Sequence, residues 1–102
     1  MKYTVYITCK NKKEADKIAL SLVKERLAAC VNMFPINSIY RWKRKIVRDR
    51  EIVLLAKTSS GKANRLIKRV KEMHSYSVPC ITFWEIKKGN ETYLRWIEKE
   101  TK

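Results

Sequence analysis

The chain has 102 residues, enough for one domain (1–102), and with 45% hydrophobic residues and only two glycines and two prolines it is neither disordered nor low in complexity. Its formal charge of +14, from 24 basic and 10 acidic residues, bears on solubility and attraction to polyanions rather than on fold. Three cysteines is an odd number, no apolar run approaches the roughly 20 residues of a membrane span, and "MKYTVYITCK" opens without an apolar signal segment; the expectation is a cytoplasmic protein with reduced thiols.

In chain order, "YTVYITC" (3–9) is β-branched and aromatic and reads as a strand buried on both faces. "NKKEADKIALSLVKERLAAC" changes period: Ala15, Ile18, Ala19, Leu22, Val23 and Leu27 form one helical stripe, with Asn11 as N-cap and Glu14 where a capping box places its carboxylate. "VNMFPINSIYRW" is extended, with Pro35 expected to mark a bulge or bend, and Ser38, Tyr40 and Trp42 on one face. "KRKIVRDRE" reads as a charged connection to a third strand, "EIVLLAKT", the two strands forming an antiparallel hairpin. "SSGKANRLIKRVKEMH" is helical again, capped by Ser59 or Ser60, with Ala63, Leu66, Ile67, Val70 and Met73 on one stripe. "VPCITFWEI" is a strand, and "ETYLRWIEKE" after Gly89 and Asn90 is a last short helix.

The order β-α-β-β-α-β plus a helix predicts an α+β fold, a ferredoxin-like βαββαβ sandwich with a long central hairpin and a C-terminal helix. The hairpin should project past the domain and offer a β-edge rich in Tyr and Trp to another subunit.

The segments "KERLAACVNMFPINSIYRWKRKI", "EIVLLAKT", "HSYSVP" and "YLRWI", in this order over nearly the whole chain, resemble the CutA divalent-cation-tolerance family. The resemblance implies the ferredoxin-like fold, a tight homotrimer built by pairing of the long hairpins, an architecture like that of PII-type signal proteins, and tolerance of copper and other divalent cations, with no established catalytic activity. The chain departs from the family pattern at Ser75 (usually proline), Ser77 (usually acidic), Cys80 (often glutamate) and Arg44 (commonly glycine).

Candidate sites follow. In "HSYSVPC", His74 and Cys80, with Met73 adjacent, offer imidazole, thiolate and thioether, a donor set that suits copper(I). The plainer alternative is a turn, with His74 at a helix C-terminus and Met73 and Cys80 in the core. Glu51 and Lys57 bracket the third strand, are assigned to opposite faces, and either end in solvent or join Tyr76 in an intersubunit cleft. Ser38, Tyr40 and Trp42 are the expected trimer interface. No cofactor is required; copper is the candidate ion, and a small anion or a partner protein held between subunits is the competing reading. The block Arg41–Arg50 holds six Lys or Arg around Trp42, but the third strand lacks the glycine and aromatics of an RNA-recognition motif, which argues against nucleic acid. With one histidine and no nucleophile elbow or P-loop, the chain is not expected to be an enzyme.

Overall fold

The computed structural model describes all of residues 1–102. Its elements are β1 (Lys2–Cys9), α1 (Lys12–Lys24), β2 (Cys30–Trp42), β3 (Lys45–Ser59), α2 (Ala63–Met73), β4 (Ile81–Glu85) and α3 (Glu91–Glu100), with a short 3-10 turn, Ser60–Lys62, leading into α2. The four strands form one antiparallel sheet in the order β2-β3-β1-β4, so β1-α1-β2 and β3-α2-β4 interleave as the ferredoxin-like arrangement requires.

Alternation decides which residues reach the core. Val5, Ile7 and Cys9 of β1 and Leu54 and Ala56 of β3 point to the helices, where they meet Ile18, Leu22, Leu66 and Val70 in one buried cluster. Each large side chain so buried contributes about 1.5–3 kcal/mol of transfer free energy. The opposite face is covered at one end by α3, where Ile97 is fully buried, Ser59 and Thr101 share a hydrogen bond of 2.8 Å, and Cys30 Sγ lies 3.2 Å from Tyr93 Oη. The rest of that face is open. In β1, Val5, Ile7 and Cys9 are buried on the helix side, while on the other face Thr4 and Tyr6 are only half-buried and Thr8 alone is buried, so the strand is buried on both faces only at its end.

α1 begins as expected, with Asn11 Oδ1 accepting the Glu14 N–H at 2.9 Å. The returning carboxylate accepts from Lys10 N at 3.3 Å, one residue before the cap. The helix ends at Lys24, short of Leu27, because Arg26 adopts a left-handed conformation (φ 59°). Leu27 N–H then bonds to Leu22 O and Arg26 N–H to Val23 O, the paired bonds of a Schellman stop. This stop still buries Leu27, but outside the helix. Neither Ser59 nor Ser60 caps α2 through its side chain.

The hairpin differs most from expectation. β2 and β3 pair without interruption from Cys30↔Lys57 to Trp42↔Lys45, straight through Pro35↔Ile52, so Pro35 makes no bulge. β2 is an edge strand, where a missing N–H costs no ladder bond if it faces outward. The presumed charged connection is strand, and the turn is only Lys43 and Arg44, both left-handed (φ 48° and 69°), the geometry of a two-residue type I′ hairpin. Beyond Glu51, β3 has no partner but β2, and this two-stranded arm stretches the molecule to 44 × 25 × 21 Å.

Candidate functional site

Two arrangements of polar side chains lie at the end of the sheet where β1 finishes and "HSYSVPC" passes, one on each face. The segment is a loop between α2 and β4. On the helix side, the His74 ring is fully buried. Nε2 lies 2.7 Å from the Thr8 carbonyl and Nδ1 accepts the Tyr76 N–H at 3.1 Å, so the hydrogen sits on Nε2. Glu14 Oε1 is 3.9 Å from Nδ1, and Glu14 Oε2 accepts the Ser75 N–H at 3.0 Å. Ligand atoms of Cys9, Glu14 and His74 all lie within 4.8 Å of one another. Burial, aided by the charges of Glu14 and Glu51, pushes the Cys9 thiol up to about 12.

The ligand group about His74 therefore includes Cys9 and Glu14 and not Cys80. Cys80 lies on the open face with Glu51, and Met73 packs against the core cluster. Sequence spacing could not show this, because Cys9 and His74 are brought together only by the β1–α2 packing. Period-2 alternation does place Cys9 toward the helices, and Glu14 at a cap position is aimed back across the strand end; those were the available signals.

On the open face, a recess of about 750 Å³ lies between the arm and the loop 74–80. Glu51 is 6% exposed and contributes to it, so the solvent-end reading does not hold for this residue. Tyr76 Oη donates to Glu51 Oε2 at 2.8 Å, and the Tyr76 ring packs against His74, tilted by 46° with centroids 4.8 Å apart, joining the two arrangements. Burial, then the Glu51 carboxylate, raises the Tyr76 phenol well above its ordinary value. Glu51 and Lys57 are six residues apart, an even number, so they share a face of β3 rather than taking opposite ones: their partners Ile36 and Cys30 are both even positions of β2. Lys57 is half-buried at the other end of that face and does not reach the recess.

Ser38, Tyr40 and Trp42 do share one face and line the recess, with Tyr40 and Trp42 37% and 41% exposed. Tyr40 Oη donates to Asp49 Oδ2, and this bond is the main cause that lifts the Tyr40 phenol to about 12. The same alternation sorts the charges of the arm. Asp49 and Glu51 fall on the recess face, with Lys45 beside Trp42 at its tip, whereas Arg41, Arg48 and Arg50 fall on the other.

Comparison with known proteins agrees with this architecture. The CutA1 divalent ion tolerance protein family matches residues 3–100. The divalent-cation tolerance protein CutA of Thermus thermophilus is 45% identical over 99% of both chains. Human Protein CutA is 41% identical over 94% of this chain, which spans 54% of the human sequence. The solved structure of the periplasmic divalent cation tolerance protein CutA from Archaeoglobus fulgidus superposes with a TM-score of 0.98 over the whole of both chains at 40% identity, and that of the Thermus thermophilus protein with 0.97 at 45%. With its hairpin arm, its helix layer and its sequence all matched from end to end, the chain belongs to the CutA1 divalent-ion tolerance family.

Proposed function

We propose that the protein acts in metal-ion tolerance as a homotrimer that binds copper, or another thiophilic cation, at Cys9, Glu14 and His74. The observation that carries the metal reading is the convergence of thiol, carboxylate and imidazole within 4.8 Å at one strand end. That donor set fits a soft or borderline ion. Binding has to displace a thiol proton and one hydrogen bond of His74, which favours ions with high thiolate affinity over magnesium or calcium.

Support for the trimer comes from the arm. β2 leaves an edge unpaired, and Phe34 and Trp84, on the open face outside the recess, are 41% and 55% exposed, a surface that self-association covers. The rival scaffold reading, a small anion held between subunits, finds no basic side chain in the recess. We read the protein as a binder rather than an enzyme, since both nitrogens of its single imidazole are engaged. Three free thiols support a reducing cytoplasmic setting, although the Archaeoglobus relative is described as periplasmic.

The test is a copper(I) titration of reduced protein against a competing chelator. Whole-number binding per subunit is expected, lost in Cys9→Ser and His74→Ala and kept in Cys80→Ser. Binding that survives both of the first two substitutions would remove the site. Light scattering at micromolar concentration should give the mass of a trimer; a monomer would sink that half of the reading.

A further inference from the structure

The recess on the open face has chemistry of its own. Its floor carries Glu51, nine-tenths buried, with Oε2 held by Tyr76 and Oε1 without a hydrogen-bond partner. Every fully enclosed side-chain oxygen or nitrogen in the molecule has a partner, so Oε1 opens to the recess. No lysine or arginine pairs with Glu51, in a chain that has 24 of them. The walls are aromatic: Tyr6, Tyr40, Trp42 and Tyr76 all line it. Alternation along the arm puts Arg41, Arg48 and Arg50 on the far face and Asp49 on this one; Lys45 shares this face beside Trp42, but no basic side chain lines the recess, whose one charged lining group is Glu51.

A desolvated carboxylate left without a counter-charge is costly, and a cation resting on it recovers that cost. Aromatic rings around such a carboxylate attract a cation through their faces, and do so best for an organic ammonium, which sheds water more readily than a small metal ion. We propose that the recess formed by Glu51, Tyr6, Tyr40, Trp42 and Tyr76 is a binding site for a small organic cation, a primary or quaternary ammonium. The carboxylate supplies the charge contact and the rings supply the enclosure. The volume is ample for a molecule of this kind. The site is separate from Cys9, Glu14 and His74, so failure of the metal reading leaves it standing.

The test uses the assembled, metal-free protein, with choline as probe and 3,3-dimethylbutan-1-ol, its uncharged carbon isostere, as control. Calorimetry should show choline binding at least about tenfold more tightly than the isostere, and Glu51→Gln should remove that preference. Gln at this position keeps an oxygen to accept the Tyr76 hydrogen bond, so the fold is retained, and a thermal unfolding curve checks this. Amide shifts at Tyr76, Ser77 and Cys80 should move with choline. Equal binding of the two probes, or unchanged choline binding in Glu51→Gln, would overturn the proposal. So would absence of choline binding together with a loosened trimer in Glu51→Gln, which would assign the carboxylate to a basic side chain of a neighbouring subunit.

Discussion

Tyr76 donates its phenolic hydrogen to Glu51 across the end of the sheet, at 2.8 Å, while its own N–H donates to His74 Nδ1. One loop residue thus orients both the buried imidazole on the helix side and the buried carboxylate on the open side. Removing the hydroxyl leaves Glu51 with a desolvated oxygen and no partner. Tyr76→Phe should therefore lower stability by about 1.5–3 kcal/mol, the usual cost of a lost hydrogen bond to a charged acceptor. Urea unfolding checks this, and an unchanged midpoint would mean that the bond contributes nothing net.

The Cys9 and Cys80 thiols should differ sharply in reactivity. Cys9 is fully buried, and its thiol is pushed up to about 12 by burial first and by Glu14 and Glu51 second. At pH 8 only roughly one Cys9 in ten thousand is a thiolate, and thiolate is the reactive form. Cys80 is also raised, by burial and then Glu51, but it opens onto the recess. Alkylation of the native, metal-free protein with iodoacetamide, read by peptide mass spectrometry, should label Cys80 while leaving Cys9 unmodified. Comparable labelling of the two would contradict the burial of Cys9.

Much of this fold was legible because local periodicity and topology agree. The stripes through Ile18 and Leu22 and through Leu66 and Val70 are the buried faces of α1 and α2. The alternation of Ser38, Tyr40 and Trp42 survives intact. The arm was misread because its strands are exposed on both faces: with no core to specify, "KRKIVRDRE" carries charges where a buried strand carries valine and isoleucine. Arg26 and Arg44 concealed a helix stop and a turn, since both sit at left-handed positions where glycine is the usual signal. His74 is legible as a candidate ligand, but the side chains gathered around it come from β1 and α1, some sixty residues away, and no spacing rule spans that distance.

The turn itself yields a stabilising substitution. Arg44, with φ of 69°, meets the steric penalty of the left-handed region that a side chain carries and glycine does not. Its neighbour Lys43 lies over the Trp42 ring at 5.9 Å, so it gives up a cation–π contact if changed, whereas Arg44 forms no ion pair. Arg44→Gly should raise stability by about 0.5–1 kcal/mol after the added flexibility of the unfolded chain is subtracted. Lys43→Gly should gain less. Chemical denaturation of the two variants side by side tests the order, and a destabilised Arg44→Gly would show that its side chain makes a contact across subunits.

Acid stability should depend on Glu14. Burial alone would raise its pKa, but the hydrogen bonds from Ser75 and Lys10 and the neighbouring His74 outweigh it, and the folded carboxyl is held below its ordinary value of 4.5. A carboxyl whose pKa is lower in the folded state adds stability that is fully present above the unfolded pKa and is lost as pH falls through the folded one. Glu14→Gln should therefore cost about 1–2 kcal/mol at pH 7 and progressively less below about pH 4. Ser75 sharpens the test. Its N–H makes the 3.0 Å bond to Glu14 at a position where proline would have no hydrogen to offer. Ser75→Pro should thus move the Glu14 titration up toward its ordinary value, while Ser75→Ala, which keeps the N–H, should move it less. Carboxyl-carbon NMR of Glu14 across pH 2–6 reads the shift directly, and identical titrations in the two variants would show that the Ser75 backbone bond does not hold the carboxylate.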